Sequence, residues 1–242
     1  MKKKLLITGA SRGLGREICK CLNNENCITG VARSLPQSNN GLEDFSAFHK
    51  CDLTDPLELN KLVQFFEQED TKFDGIICNL GSGKSKTFLD TDLNEFLRVF
   101  HLNFFSSVSL IQKLLPNFLN KGASIVCISS ICGVDAIHGA PIAYSTAKAA
   151  LNHYVKCCSQ NIADFGMRIN SISPGNLYFD GSVWQQKMDE DSEAVNKILR
   201  DKVPLNRFGQ PSDIANMCEF LISDKSSFIT GANFIVDGGQ TN

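Results

Sequence analysis

The chain has 242 residues, enough to bury a substantial core, and a length that allows one or two domains. With 24 basic and 26 acidic residues interspersed and a net charge of −2, it lacks the electrostatic footprint of a nucleic-acid or anionic-membrane binder, so neither is expected as a partner. The apolar run at 5–7, after a basic start at 1–4, is far too short for a signal peptide or a membrane span, and a cytoplasmic protein is expected.

Of the ten cysteines, Cys78, Cys127, Cys157 and Cys218 lie within apolar patterns, as reduced buried thiols do. There is no Cys-x-x-Cys. Cys19 with Cys21, or His49 with Cys51, are too sparse for zinc, and no metal is expected.

Residues 4–8 read as a short apolar strand that breaks into Gly9-Ala10-Ser11-Arg12-Gly13-Leu14-Gly15, with a helical pattern through 18–22. Glycines at a strand-to-helix turn let the backbone approach a phosphate, and the helix amino terminus adds unpaired N–H groups and a favourable dipole. The spacing Thr-Gly-x-x-x-Gly-x-Gly differs from the commoner Gly-x-Gly-x-x-Gly, and a plain glycine turn is the alternative. The next strand, 27–32, ends at Arg33. An acid at that place bonds a ribose 2′-hydroxyl, whereas an arginine suits a 2′-phosphate, so Arg33 and Arg12 argue for NADP(H) unless both are merely solvated.

Residues 45–51 predict a third strand closing on Asp52, which is placed to accept from an adenine amino group or to cap the turn before a helix at 56–68. A fourth buried strand, 73–78, ends in Asn79-Leu80-Gly81, as suits a cofactor lying across the sheet. The following Gly81-Ser82-Gly83-Lys84-Ser85 only superficially matches a phosphate loop, because Cys78 stands where Gly-x4-Gly-Lys-Ser has its first glycine. Lys84 and Lys86 are therefore solvated loop charges or contacts for an acidic substrate. Residues 94–119 predict one long helix with Phe96, Val99 and Phe100 on its apolar side. Asn103 interrupts that side, as a structural bridge or as part of a proton path.

Residues 124–129 read as a strand buried on both faces, which puts Ser130 at its carboxyl end, where open α/β sheets bind ligands. A helix over 143–165 projects Tyr144 and Lys148, four apart, from one face. A cation beside a phenol lowers its pKa from about 10 toward the working pH, and such a tyrosine can act as general acid or base. A serine opposite it can hydrogen-bond the reacting oxygen. A solvated Tyr-x-x-x-Lys pair is the alternative.

A further strand at 167–173 stops at Pro174-Gly175. Residues 176–204 lack strand periodicity and mix Tyr178, Phe179 and Trp184 with the acidic run 189–191. They read as a mobile lid whose aromatics line a substrate pocket or pack a small core of their own. A helix at 212–222, begun by Pro211 and Ser212, and a strand at 233–236 complete the chain. Five or six strands alternating with helices predict an α/β fold: one domain over 1–242 with a doubly wound, Rossmann-like parallel sheet and helices on both faces.

Several motifs recur here in a definite order and spacing: residues 8–15, Cys51-Asp52-Leu53, Asn79-Leu80-Gly81, Asn103, Ile128-Ser129-Ser130, Tyr144 to Lys148, Ser173-Pro174-Gly175, 207–215 and 229–239. In them the chain resembles the short-chain dehydrogenase/reductase family over essentially its whole length, closest in pattern to 3-oxoacyl-acyl-carrier-protein reductases. The resemblance implies that Tyr144 donates a proton to a carbonyl oxygen, while Lys148 lowers its pKa and holds the nicotinamide ribose. Ser130 would orient the carbonyl, with Ser129 the alternative, and Asn103 would position a water linking Lys148 to solvent. It also implies pyrophosphate contacts from Gly9, Ser11, Arg12, Gly13, Leu14 and Gly15, a 2′-phosphate contact from Arg33, and adenosine contacts from Asp52 and Asn79. Leu53, Gly81, Tyr144, Pro174, Gly175 and Leu177 complete the implied cofactor set. A homotetramer or dimer through the helices carrying Asn103 and Tyr144 is implied as well.

Three departures stand out. Ser130 precedes Tyr144 by 14 positions, one more than usual, so the loop around His138 is altered. Asn79-Leu80-Gly81-Ser82 replaces Asn-Asn-Ala-Gly. The threonine that usually follows Pro-Gly and contacts the carboxamide has no equivalent among Leu177, Tyr178, Phe179 and Asp180. The expected activity is NADPH-dependent reduction of a small-molecule ketone or aldehyde, such as a 3-oxoacyl thioester. The atypical lid with Lys84 and Lys86 would suit a sugar or another polar anionic metabolite, and a non-catalytic NADP(H)-binding scaffold is the reading from another class.

Overall fold

Seven strands, all parallel, form one sheet: Lys3–Thr8 (β1), Asn26–Ala32 (β2), Ala47–Lys50 (β3), Phe73–Cys78 (β4), Leu119–Ile128 (β5), Arg168–Pro174 (β6) and Asn233–Val236 (β7). Their order is β3-β2-β1-β4-β5-β6-β7 in this computed structural model, which describes residues 2–36, 42–115 and 117–241. The helices are Gly13–Leu22 (α1), Pro56–Gln68 (α2), Leu93–Phe100 (α3), Ser106–Leu114 (α4), Ile142–Ala163 (α5), Val183–Glu190 (α6), Ser192–Lys202 (α7) and Pro211–Ile222 (α8). The chain steps outward from β1 to β3, then crosses back to β4 on the other side of β1. The carboxyl ends of β1 and β4 therefore flank the point where the topology reverses, the crevice in which such sheets take ligands.

Central strands covered on both faces need continuous apolar runs, and Leu5, Leu6, Ile7, Ile76, Ile77, Ile125 and Val126 are all inaccessible to solvent. Each such side chain contributes roughly 1.5–3 kcal/mol by leaving water. One face is packed by α2, α4 and α5 through Leu59, Phe66, Leu110, Leu114, Leu151 and Val155. The other is packed by α1 and α8 through Ile18, Leu22, Ile214 and Leu221. Helix starts follow their caps: Asp55 accepts from Leu57 N ahead of Pro56, and Gln210 with Asp213 forms a capping box around Pro211.

The structure departs from the sequence reading in five places, the first being the sheet itself, with seven strands where five or six were expected. The expected helix at 94–119 is α3, a π-helical turn at His101–Phe105, and α4, which ends at Leu114; Pro116 and Met1 lie outside the described residues. Asn103 Nδ2 donates to the Val99 carbonyl at 3.0 Å, occupying an acceptor of the helical ladder and widening the turn. Leu119 opens β5 instead of closing a helix. Residues 119–122 look polar because this end of the strand is partly exposed, and it is secured by Asn120 Nδ2 donating to Asp74 Oδ1 at 2.7 Å across a register shift. The edge strand β3 is shorter than expected, since Phe45 turns out of line to pack edge-on against Phe48 over Gly30. Finally, all ten cysteines are unpaired, but Cys157 is exposed, two residues beyond the buried Val155 and so on the far side of α5.

Candidate active site

The glycine turn after β1 is built for close approach. Gly9 and Gly13 have φ of 65° and 56°, where other residues are strained. A Cβ at Gly15 would stand 2.3 Å from the Gly9 carbonyl oxygen and 2.4 Å from Asn79 Nδ2, so α1 starts hard against the ends of β1 and β4. Thr8 ties those ends together, its Oγ1 accepting from Asn79 N and Leu80 N at 3.0 Å each, and its carbonyl accepting from Asn79 Nδ2 at 3.3 Å. Arg12 at the N-cap makes no side-chain cap bond and no acid lies in the first turn, which leaves the first amides of α1 for an anion. At the β2 end, exposed Arg33 lies 3.9 Å from Asp52 Oδ2, and Ser11 Oγ lies 3.4 Å from Ser34 Oγ. Asp52 also accepts from Thr54 N and Thr54 Oγ1, so it caps its turn. These groups fit an adenine dinucleotide. Leu53 is buried in the core, so only its backbone can face the crevice.

Across the crevice, Ser130 lies two residues beyond β5 and its Oγ accepts from Cys132 N at 3.2 Å, capping a short 3-10 turn at Ile131–Gly133. That turn presses on α5: a Cβ at Gly133 would lie 2.5 Å from the Lys148 carbonyl carbon, and Asn152 Nδ2 donates to the Gly133 carbonyl at 3.2 Å. Ser129 Oγ donates to the Lys148 carbonyl, which turns it into the core and leaves Ser130 beside Tyr144. Lys148 is 3% exposed, its Nζ donating to the Ile128 carbonyl at 2.9 Å. A Cβ at Gly81 would meet Asn103 Oδ1 at 2.8 Å and Lys148 Nζ at 3.1 Å, so these two side chains converge beneath Gly81. Asn103 also accepts from Ser82 N at 2.9 Å and donates to the Ser82 carbonyl at 3.2 Å, clamping the loop after β4.

The electrostatics correct one expectation. Burial pushes the half-buried Tyr144 phenol up to about 12, with a hydrogen bond to Ser130 acting against it. Burial likewise lowers Lys148 to about 8. The ammonium lies 5.8 Å from the Tyr144 ring centroid and is committed to a carbonyl, so desolvation, not the neighbouring cation, sets the phenol. Tyr144 is thus a protonated hydroxyl at neutral pH.

A sequence profile described as enoyl-(acyl carrier protein) reductase matches residues 9–241. The chain belongs to the short-chain dehydrogenase/reductase family. It is 31% identical to the 3-oxoacyl-[acyl-carrier-protein] reductase FabG of Rickettsia bellii, over 97% of this chain and 95% of that one. It is 30% identical to the 7alpha-hydroxysteroid dehydrogenase of Escherichia coli K12, over 98% and 93%. Among solved structures, the short chain dehydrogenase of Leptospira borgpetersenii with bound NAD+ superposes with a TM-score of 0.87 at 26% identity, covering 100% of this chain and 94% of that one.

Within that family, the departures acquire a shape. The segment after Gly175 does not run free: Leu177 bridges to Gly209, and α6 and α7 follow, capped by Ser182 and Asp191. Tyr178 and Trp184 both pack on Phe208, with ring centroids 5.4 and 5.5 Å apart respectively. Those two aromatics fill the segment's own small core, whereas Phe179 turns the other way, onto Gly13. Pro174 is buried and Gly175 abuts the Asp237 backbone, anchoring the segment's start. Glu95, which the sequence reading passed over, is buried and holds the loop bearing Lys84 and Lys86. It accepts from Arg98, Ser85 Oγ and Lys86 N, and the Arg98 hydrogen bond in particular draws it down to about 2. Arg98, three residues on, was a local signal for Glu95, but its hold on Ser85 and Lys86, ten and nine residues back, was not.

Proposed function

We propose that this protein is a cytoplasmic NADP(H)-dependent reductase of a ketone or aldehyde, with a 3-oxoacyl thioester or a related ketone as substrate. The observation that carries the reading is the convergence of Ser130, Tyr144, Lys148 and Asn103 at the carboxyl ends of β4 and β5, across the crevice from the glycine turn. Arg33, Ser34, Ser11 and Arg12 would hold the 2′-phosphate side, Gly9 to Gly15 the pyrophosphate, and Asp52 and Asn79 the adenosine. Gly81, Pro174, Gly175 and Leu177 would border the nicotinamide end, and Lys148 would bind its ribose. Bound there, the reduced nicotinamide supplies the hydride.

The residues of this chain do the rest. Ser130 orients the carbonyl by hydrogen bonding, and the Tyr144 phenol, held protonated by burial, gives its proton to the carbonyl oxygen as charge develops there. Lys148 stands behind the phenol, with Asn103 beside its ammonium as a route for replacing that proton. Residues 176–204 serve as the substrate lid of a single domain spanning 1–242. Exposed Leu93, Leu97 and Phe105 on the helices around Asn103 favour assembly into a dimer or tetramer there.

Titrating the protein's fluorescence with NADPH and NADH, and repeating it with Arg33→Ala, tests the cofactor. A preference for NADPH that drops about tenfold or more in the variant is expected, as for loss of a charged hydrogen bond. Equal or NADH-favoured binding would overturn the assignment. A panel of acetoacetyl thioesters and sugar ketones then tests the substrate. A polar anionic substrate such as a sugar derivative is favoured by one observation: Lys84 and Lys86 are exposed on the loop clamped by Asn103, and neither is in an ion pair among the described residues.

A further inference from the structure

Phe179 rests on the glycine turn. A Cβ at Gly13 would lie 3.0 Å from its Cε2, 3.6 Å from Cζ and 3.7 Å from Cδ2, so the ring edge covers the first residue of α1. Gly13, Leu14 and Gly15 carry the first-turn amides, which have no acceptor within the helix and which an anion would use. The ring is held there by its backbone. Phe179 N donates to Ser182 Oγ at 3.3 Å, Ser182 N donates to the Phe179 carbonyl at 2.9 Å, and Tyr178 N donates to the Gly209 carbonyl at 3.0 Å. Its apolar face packs on the α1 and α8 side of the sheet. A benzyl ring offers a phosphate no donor, and an anion pressed against it would lose water without compensation.

We propose that Phe179 is a gate on the nucleotide site: its ring lies over the phosphate cradle and must leave Gly13 before a dinucleotide can seat. The inference rests on the dinucleotide reading above. A side chain at position 13 would press on the ring edge at 3.0 Å and be strained at a φ of 56°. The gating residue is tied through Ser182 to α6, so seating the cofactor also shifts the segment beside the substrate end. Loading and lid position are thereby one equilibrium, and the apparent affinity is reduced by the fraction of molecules that are open.

Trp184, the single tryptophan, lies five residues beyond Phe179 on α6, and its emission can report both movement and transfer to bound NADPH. In stopped-flow mixing, the observed rate for the wild type should level off with rising NADPH at the opening rate. For Phe179→Thr and Phe179→Ala it should rise linearly, with a dissociation constant roughly three- to tenfold lower. Ser182→Ala keeps the ring but unties its turn, and should raise the plateau without abolishing it. Melting curves confirm that each variant is folded. Linear wild-type rates, with binding unchanged or weaker in both Phe179 variants, would make the ring a fixed wall and overturn the gate while the dinucleotide reading stands. If neither wild type nor variants bind NADPH or NADH, the dinucleotide reading falls and the gate falls with it.

Discussion

The walls of the crevice are built in opposite ways. On the Ser130 side, the proposed reacting groups lie just beyond β5 and on the 22-residue α5, with backbone packed on backbone at Gly133 and three polar side chains tied down: Lys148 to Ile128, Ser129 to Lys148, Asn103 to Val99 and Ser82. On the 176–204 side, α6 has no fully buried residue, and the segment relies on a cluster of Val195, Leu199, Val203 and Phe208. Beside that cluster a concavity of about 380 Å³ remains, lined by Tyr178, Met188, Leu199, Arg207 and Phe208 among others. The proposed chemistry, which tolerates little displacement, would thus rest on rigid elements, whereas the proposed lid is packed loosely enough to open separately.

Removing the phenol should give the largest effect. Tyr144→Phe is expected to lower kcat roughly 10²- to 10⁴-fold while the NADPH titration and the melting temperature stay put, as measured by steady-state turnover beside fluorescence. Retained turnover would remove the catalytic wall from the comparison altogether.

The same truncation made in both walls sharpens it. Leu151→Ala, in α5, should cost about 2–5 kcal/mol of global stability in urea unfolding. Leu199→Ala, beside the concavity, should cost less than about 2 kcal/mol, with faster hydrogen exchange confined to α6 and α7. Equal global costs would mean that the segment unfolds with the sheet.

Lys148 gives a pH signature. Below about 8 its ammonium is charged whether the chain is folded or not, and burial penalises the fold. Between about 8 and the ordinary lysine value of 10.5 the folded chain has shed the proton that the unfolded chain still holds, so this group makes stability rise with pH. Measured against Lys148→Met, in which the other titrating groups largely cancel, wild-type stability should improve by about 3 kcal/mol across that window. A difference independent of pH would mean that the ammonium is better solvated than its burial implies.

A further effect, on turnover as well as stability, is expected at Gly133. An added methyl would meet the α5 backbone at 2.5 and 2.7 Å, and Gly133→Ala should destabilise by roughly 1–3 kcal/mol and lower kcat more than it raises KM. A shift in KM alone would place this turn with the substrate wall.

Much of the proposed catalytic wall could be picked out because its signals are local. Tyr144 and Lys148 are four apart on one helix, Ser130 follows an apolar run, and the glycines of 9–15 punctuate a strand and a helix. The π-helical turn at Asn103 was not legible, because a helical period continues through it and only the side-chain bond to Val99 reveals the break. Nor was the start of β5 at Leu119, whose polar residues are explained by an exposed strand end bonded to Asp74. Thr8, Ser34, Glu95 and Asn152 matter through partners far away in the chain or across a loop, and no periodicity marks them.

By itself the sequence determined the alternation of strands and helices, the parallel sheet that follows from it, and the residue types gathered at the strand ends, because hydrophobic period and turn chemistry act over a few residues. Tertiary structure alone decided that the Tyr144 phenol lies above its ordinary value despite the adjacent lysine, that Ser129 faces inward and Ser130 outward, and that Phe179 rests on Gly13. Desolvation and contact are set by everything packed around a group, and here those neighbours come from strands and loops far apart in the chain.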